Sequence, residues 1–460
     1  MVSPETATQN GNTKTEFDFT AIHRELNESF ASGKTKSIKW RKWQLKQPWW
    51  MIEDNEREIQ EALTSDLGRH EMENWTTDFM GLKMDILHHI NNVEKWVETT
   101  PVPGSGIVGW IGRARIRGEP RGVSCIRLVT GGPEETTRFL ERKFDYIFFT
   151  GSTKIARFIA AAAAKHLTPT TLELGGQCPA FVTKTADIEL SAKRIALVKF
   201  TNAGQICLTA NHVLVDPAVH DAFVARLEHW TREFAATGHM CRIINKRNHD
   251  RLTSLLDKSS GTIIRCGEAP AVDCRMAPVI VTNVKPTDAI MSEELFGPIC
   301  PVIPCTIDDA IAVTNSLPKP LALYIFSSDK NETDYIQDRT LSGGVTINDT
   351  LFPAGVPNAP FGGVGESGMG AFHGEYGFQS FTHLRIVTMP PTWLDRFMGF
   401  RYLPFNAKNK GMVAVSNKGR SRRGETLQDQ KIASAWLASY YGYPDMYQRV
   451  LSYARMRFLG

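Results

Sequence analysis

No stretch of the 460-residue chain is apolar for long enough to cross a bilayer. Its polar first sixteen residues lack the apolar core of a secretory signal, and we read 1–16 as a disordered arm. The eight cysteines (Cys125, Cys178, Cys207, Cys241, Cys266, Cys274, Cys300 and Cys305) include no C-x-x-C pair. That argues against a zinc site or a disulfide frame and for reduced thiols in a cytoplasmic setting. The twelve histidines show no metal-ligand spacing, so no metal is expected. A net charge of +4 is too mild over this length to argue for nucleic acid, and basic patches interleaved with aromatics are missing. Internal repeats are absent too.

What is present is ordinary for a soluble enzyme: 42% hydrophobic and 22% charged residues, in a chain long enough for two or three domains. Early helices read from Ile22, Leu26 and Phe30 (stopping at Gly33), from Ile59, Leu63 and Leu67 (stopping at Gly68), and from Phe79 to Val97. Gly104 to Arg117, with its glycines and β-branched residues, suggests a β-hairpin. The chain is organised around Asp145 to Asn211. Tyr146–Phe149 reads as a buried strand, and Thr150-Gly151-Ser152-Thr153 then turns into an alanine-rich helix. Such a turn leaves unpaired amides at a helix N-terminus, a setting for an anion. Leu172-Glu173-Leu174-Gly175-Gly176 follows, an acid at a strand end before two glycines. An amphipathic helix through Ile188, Ala192, Ile195 and Val198 then leads to Gly204-Gln205-Ile206-Cys207. Glu173 and Cys207 are the acid and thiol best placed for chemistry. A loop thiol can be aimed as a nucleophile, and a nearby carboxylate can activate water. Cys178 and Cys300 read as packing residues.

Phe149-Thr150-Gly151-Ser152, Glu173-Leu174-Gly175-Gly176 and Gly204-Gln205-Ile206-Cys207 resemble, in order and spacing, signature segments of the aldehyde dehydrogenases, most of all the class 3 branch that takes fatty and medium-chain aldehydes. The resemblance runs from about Phe17 to about Phe405. It implies an α/β fold with a Rossmann-like cofactor domain (17–176), an oligomerisation hairpin near 101–117, a second α/β catalytic domain (177–383) and a C-terminal arm (384–407). It also implies NAD or NADP as cofactor, a small-molecule aldehyde as substrate, and a homodimer. Cys207 would attack, and Glu173 would serve as general base. Gly151 and Ser152 would face the cofactor pyrophosphate, with Ala156 where relatives usually carry glycine. Glu294 and Phe296, in Glu293–Pro298, match the positions that hold the nicotinamide ribose and flank the ring. Asn348 and Phe361 read as substrate-pocket or loop-fixing residues.

After Val123 the chain departs from the family. Ser124-Cys125-Ile126 passes straight to Arg127–Gly132, which relatives place several elements later, so the cofactor domain is expected to lack at least one strand–helix–strand unit of roughly 30 residues. The lost unit would carry the family's oxyanion Asn and its adenosine-ribose Lys, with Asn202 and Asn211 as stand-in donors. An impaired or inactive relative, or an incomplete gene model, is therefore the alternative to an active dehydrogenase. Arg127 to Thr153 reads as strand, helix (Glu134–Lys143), strand and turn. The tail (408–460) pairs six uncompensated basic residues in Lys408–Arg423 with a helix whose apolar face carries Tyr447, Val450, Leu451, Ala454 and Phe458. Peripheral membrane contact and a solvated tail packing on its own dimer are both open readings.

Overall fold

A computed structural model describes residues 17–103, 113–120, 127–268 and 273–403. The junction at Val123, residues 104–112 of the expected hairpin, the arm 1–16 and the tail 408–460 lie outside the described residues. Two compact units result: Met1–Glu98 with Gly118–Leu384, and Thr99–Arg117 with Arg385–Gly460. The strands in chain order are β1 (Thr100–Pro101), β2 (Arg115–Pro120), β3 (Ile147–Thr150), β4 (Thr170–Glu173), β5 (Pro179–Val182), β6 (His212–Val215), β7 (Thr262–Arg265), β8 (Val279–Thr282), β9 (Ile299–Pro304), β10 (Ala322–Phe326), β11 (Gly344–Ile347), β12 (Gly368–Met369) and β13 (Thr382–Val387).

A seven-stranded sheet, in the order β11-β10-β5-β6-β9-β8-β7, forms the heart of the first unit, parallel except where β7 meets β8. Parallel strands covered on both faces must be apolar throughout rather than alternating. Every residue of β5, β6, β8 and β10 is buried. The two faces feed separate cores. Ala180, Val182, Tyr324 and Phe326 pack with Ala192, Ile195, Phe223 and Leu227 from helices Ile188–Phe200 and His220–Ala236. Phe181, Leu323 and Ile325 pack with Leu252, Leu256, Ile311 and Ile336 from three helices on the other side.

A smaller sheet has the order β12-β4-β3, with β3 parallel to β4 and β12 antiparallel. Leu172 and Leu174 pack there on Ala156 and Ile159 of helix Thr153–Lys165. The strand expected at Arg127 is not formed: Arg127–Gly132 carries no strand, Leu128 is exposed, and Arg127 reaches the Glu25 carboxylate instead. A strand needs a neighbour to take up its backbone groups, and no described strand runs beside this segment. The helix after it is Pro133–Leu140. Helices Phe19–Ala31, Glu56–Leu67 and Met80–Trp96 form as the periodicity predicts, with Gly33 and Gly68 in left-handed conformation at their stops. Leu82, Met84 and Leu87 of the last are exposed.

In the second unit the hairpin arms are β1 and β2, paired antiparallel with Thr100 opposite Ile116, so its first arm precedes the predicted Gly104. Near its end, Arg401 and the Tyr402 hydroxyl both donate to Asp395.

Candidate active site

β3 and β4 end side by side, and the amide of Gly151 donates to the carbonyl of Glu173 (3.1 Å), so the turn and the acid are fixed to one another. Ser152 caps helix Thr153–Lys165, its Oγ accepting from the Ile155 amide (3.5 Å). The amides of Thr153 and Lys154, in the first turn, have no intrahelical partner. A Cβ at Gly151 would stand 2.6 Å from the Phe149 ring, so only glycine fits the turn without displacing that ring. This cradle suits a phosphate.

Glu173 closes β4 opposite Gly368. Its side chain is 4% exposed, and neither carboxylate oxygen has a hydrogen-bond partner among the described residues. Burial pushes its pKa up to about 8. A buried carboxylate left unpaired is costly, and such groups gather at functional sites.

Cys207 arrives from the other sheet. Helix Ile188–Phe200 ends in the Thr201–Gly204 turn, whose residues Asn202 and Ala203 are left-handed (φ 50° and 51°), and the chain then runs Gln205-Ile206-Cys207 towards β6. The thiol is held up at about 11, by burial first, then by the negative fields of Glu294 and Glu173, while its own amide and that of Leu208 pull it down. Behind it, Cys178 Sγ donates to the Cys207 carbonyl (3.4 Å). Cys178 and Cys300 are fully buried.

Glu294 turns inward over the two glycines. A Cβ on Gly175 would stand 2.3 Å from Glu294 Oε1, and the Gly176 amide donates to the carboxylate. Burial pushes Glu294 up to about 7, against the pull of that amide, Lys199 and Arg251. Arg251 fixes the backbone here by donating to the carbonyls of Glu294 (3.4 Å) and Leu295 (2.6 Å), while the Leu295 amide donates to Asn211 Oδ1 (2.8 Å). Phe296, left-handed at φ 50°, is consequently presented with its ring 39% exposed.

The structure thus brings Cys207, Glu173 and Glu294 into one electrostatic neighbourhood, with Gly151 and Ser152 on the adjoining strand end. Of the two stand-in donors, Asn202 spends its amide on the Gln205 carbonyl (2.9 Å), whereas Asn211 Nδ2 is buried without a partner among the described residues. Asn348 fixes a loop: its side chain exchanges two hydrogen bonds with the Ser327 backbone (2.9 and 2.8 Å). Phe361 stacks among Phe372 and His373. Sequence reading missed Lys199, fully buried, with no partner for Nζ among the described residues and held down at about 8 by burial. Its only signal was a lysine on the helix just before the thiol.

The family model described as the aldehyde dehydrogenase family matches residues 92–387. A beta-apo-4'-carotenal oxygenase of Neurospora crassa is 35% identical over 446 residues, covering 84% of this chain and 84% of that protein. The dimeric NADP-preferring aldehyde dehydrogenase of Rattus norvegicus is 33% identical over 445 residues, covering 84% and 97%. Among solved structures, the substrate-bound state of Staphylococcus aureus AldH superposes with a TM-score of 0.79 at 32% identity, covering 86% of this chain and 99% of that one.

Proposed function

We propose how the residues divide the work in a chain that belongs to the aldehyde dehydrogenase family, in its class 3 branch, and that oxidises aldehydes with NAD or NADP. Cys207 adds through sulfur to the carbonyl carbon, giving a thiohemiacetal. Because the thiol titrates near 11, its proton must leave to a base as the bond forms, and the ionisable carboxylates facing it are Glu294 and Glu173. Hydride would leave that carbon, a bound nicotinamide supplying the acceptor chemistry. The Gly151–Ser152 turn would hold its pyrophosphate, and Glu294 and Phe296 the ribose and ring. A thioester on Cys207 remains. Glu173, near 8, takes a proton from water as the water attacks, and the carboxylic acid leaves with the thiol restored. The observation that supports this reading is the meeting of Glu173, buried with no partner among the described residues, with Cys207 from the turn that precedes β6.

Two variants test it. Cys207→Ala is expected to abolish oxidation with the fold intact; wild-type turnover would remove the nucleophile assignment. Glu173→Gln is expected to keep the burst of reduced cofactor and slow steady-state turnover by about 10²-fold or more. Equal losses in both phases would count against a role in deacylation. The impaired alternative rests on the unit expected to be missing after Val123, a junction outside the described residues. We further infer medium- and long-chain aldehydes as the substrate class, supported by a relative named for an apocarotenal. A homodimer is inferred from the rat relative's name. For the 408–460 tail we infer peripheral membrane contact of a cytoplasmic enzyme. Among the described residues no helix is long and apolar enough to cross a membrane.

A further inference from the structure

The loop that delivers Cys207 is bent against its own preference. Asn202 (φ 50°, ψ 31°) and Ala203 (φ 51°, ψ 34°) are left-handed in succession, a conformation that L-residues hold only when their surroundings impose it. Part of the restraint is local. Gln205 Nε2 donates to the carbonyls of Asn202 (3.0 Å) and Arg242 (2.9 Å), and the Ile244 amide donates to Gln205 Oε1 (2.9 Å). A further polar restraint comes from far away in the chain. Glu73 Oε1 accepts the backbone N–H of Asn202 at 2.5 Å, across 129 residues.

Glu73 is well held for this task. It sits in the short helix Glu71–Asn74, which runs on into a π turn, Trp75–Phe79. Single π turns of this kind are frequent at functional sites. The Glu73 carbonyl accepts the hydroxyls of Thr76 (3.1 Å) and Thr77 (2.8 Å), and Arg69 ties Thr77 and Asp78 together. Its carboxyl is pushed up by burial and drawn down by the Asn202 amide and by Arg69. A hydrogen bond from an amide to a partly buried carboxylate is among the stronger kinds, and here it lands on the first left-handed peptide of the loop.

We infer that Glu73 is a positioning residue for the nucleophile: its carboxylate fixes the Asn202 peptide and thereby the aim of Cys207. The inference rests on the reading of Cys207 given above. Glu73 touches no reacting atom.

The test compares Glu73→Ala with Glu73→Gln in the full chain, reading the burst rate, kcat, the KM for cofactor and the melting temperature. Glu73→Ala is expected to lower burst rate and kcat by about 10- to 100-fold, the scale of a small misplacement, with cofactor KM within about twofold of wild type. Glu73→Gln keeps an acceptor oxygen and is expected to recover both rates to within about threefold of wild type. Burst and kcat of Glu73→Ala within about twofold of wild type would overturn the inference, and so would a Gln variant as slow as the Ala variant. Should Glu73→Ala fail to fold, Glu73→Asp takes its place: the charge stays and the reach shortens, so Asp is expected to be slow where Gln is not, and the reverse order overturns the inference. An active Cys207→Ala would sink the nucleophile reading itself. An inactive Cys207→Ala beside an unimpaired Glu73→Ala removes only the role of Glu73.

Discussion

Glu173 takes up its proton near pH 8 in the folded chain and near 4.5 when exposed. Between those values the folded state holds the extra proton, so stability falls as pH rises through that window and the penalty is complete above pH 8. Glu173→Gln removes the titration. The variant is expected to melt higher than wild type at pH 8.5 and nearly level with it at pH 4.5, by up to a few kcal/mol at the alkaline end. Melts at the two pH values decide it, and an unchanged difference between them would mean the carboxylate is not held neutral by burial. At this scale the sequence was generous with the residues that react and silent on those that support them. Cys207 and Glu173 stood beside glycines in a recognisable order. Lys199 and Glu73 did not, because a lysine or glutamate in a helical pattern reads as solvated unless its burial is known.

The turn Thr201–Gly204 shows how an element can be set by packing that no local pattern announces. Gly204 is at φ 73°, and a Cβ there would stand 2.4 Å from the carbonyl oxygen of Gly297 and 2.9 Å from that of Lys199. Both obstacles are backbone and cannot swing aside. Gly204→Ala is therefore expected to cost about 2 kcal/mol or more and to displace the Glu294–Phe296 loop with the thiol. Urea melts and cofactor KM should both move; an unaffected KM would show that the two loops are independent. Buried strands such as β8 and β10 were legible because they are short, apolar throughout and flanked by turns. Helix Ile38–Asp54 was not, since Pro48 and its tryptophans blur the period. The segment Arg127–Gly132 was misread for a different reason: strand character in the residues does not make a strand without a neighbour. Inserting the family's strand–helix–strand unit between Val123 and Arg127 is expected to supply that neighbour, slow amide exchange across Arg127–Thr130 and bury Leu128. Exchange that stays fast would mean the segment belongs where it now lies.

At the scale of the whole molecule, the candidate site and the basic tail fall in different compact units. The first carries Cys207, Glu173 and Glu294, while the second, Thr99–Arg117 with Arg385–Gly460, contains the basic tail. If the tail serves only to hold the enzyme at an anionic surface, its removal should leave turnover of a water-soluble aldehyde unchanged. Six basic residues between Lys408 and Arg423, each worth about 1 kcal/mol near anionic lipid, would supply the attraction for reversible binding. The full chain and a chain ending at Ala407 should therefore differ in co-sedimentation with phosphatidylserine-containing vesicles and not with neutral ones. Raising the salt should release the full chain, because the attraction falls off within a Debye length. The alternative is a tail that packs against a second copy of the chain. Truncation would then lower the assembly mass in solution and leave vesicle binding as it was, and that result would remove the membrane reading.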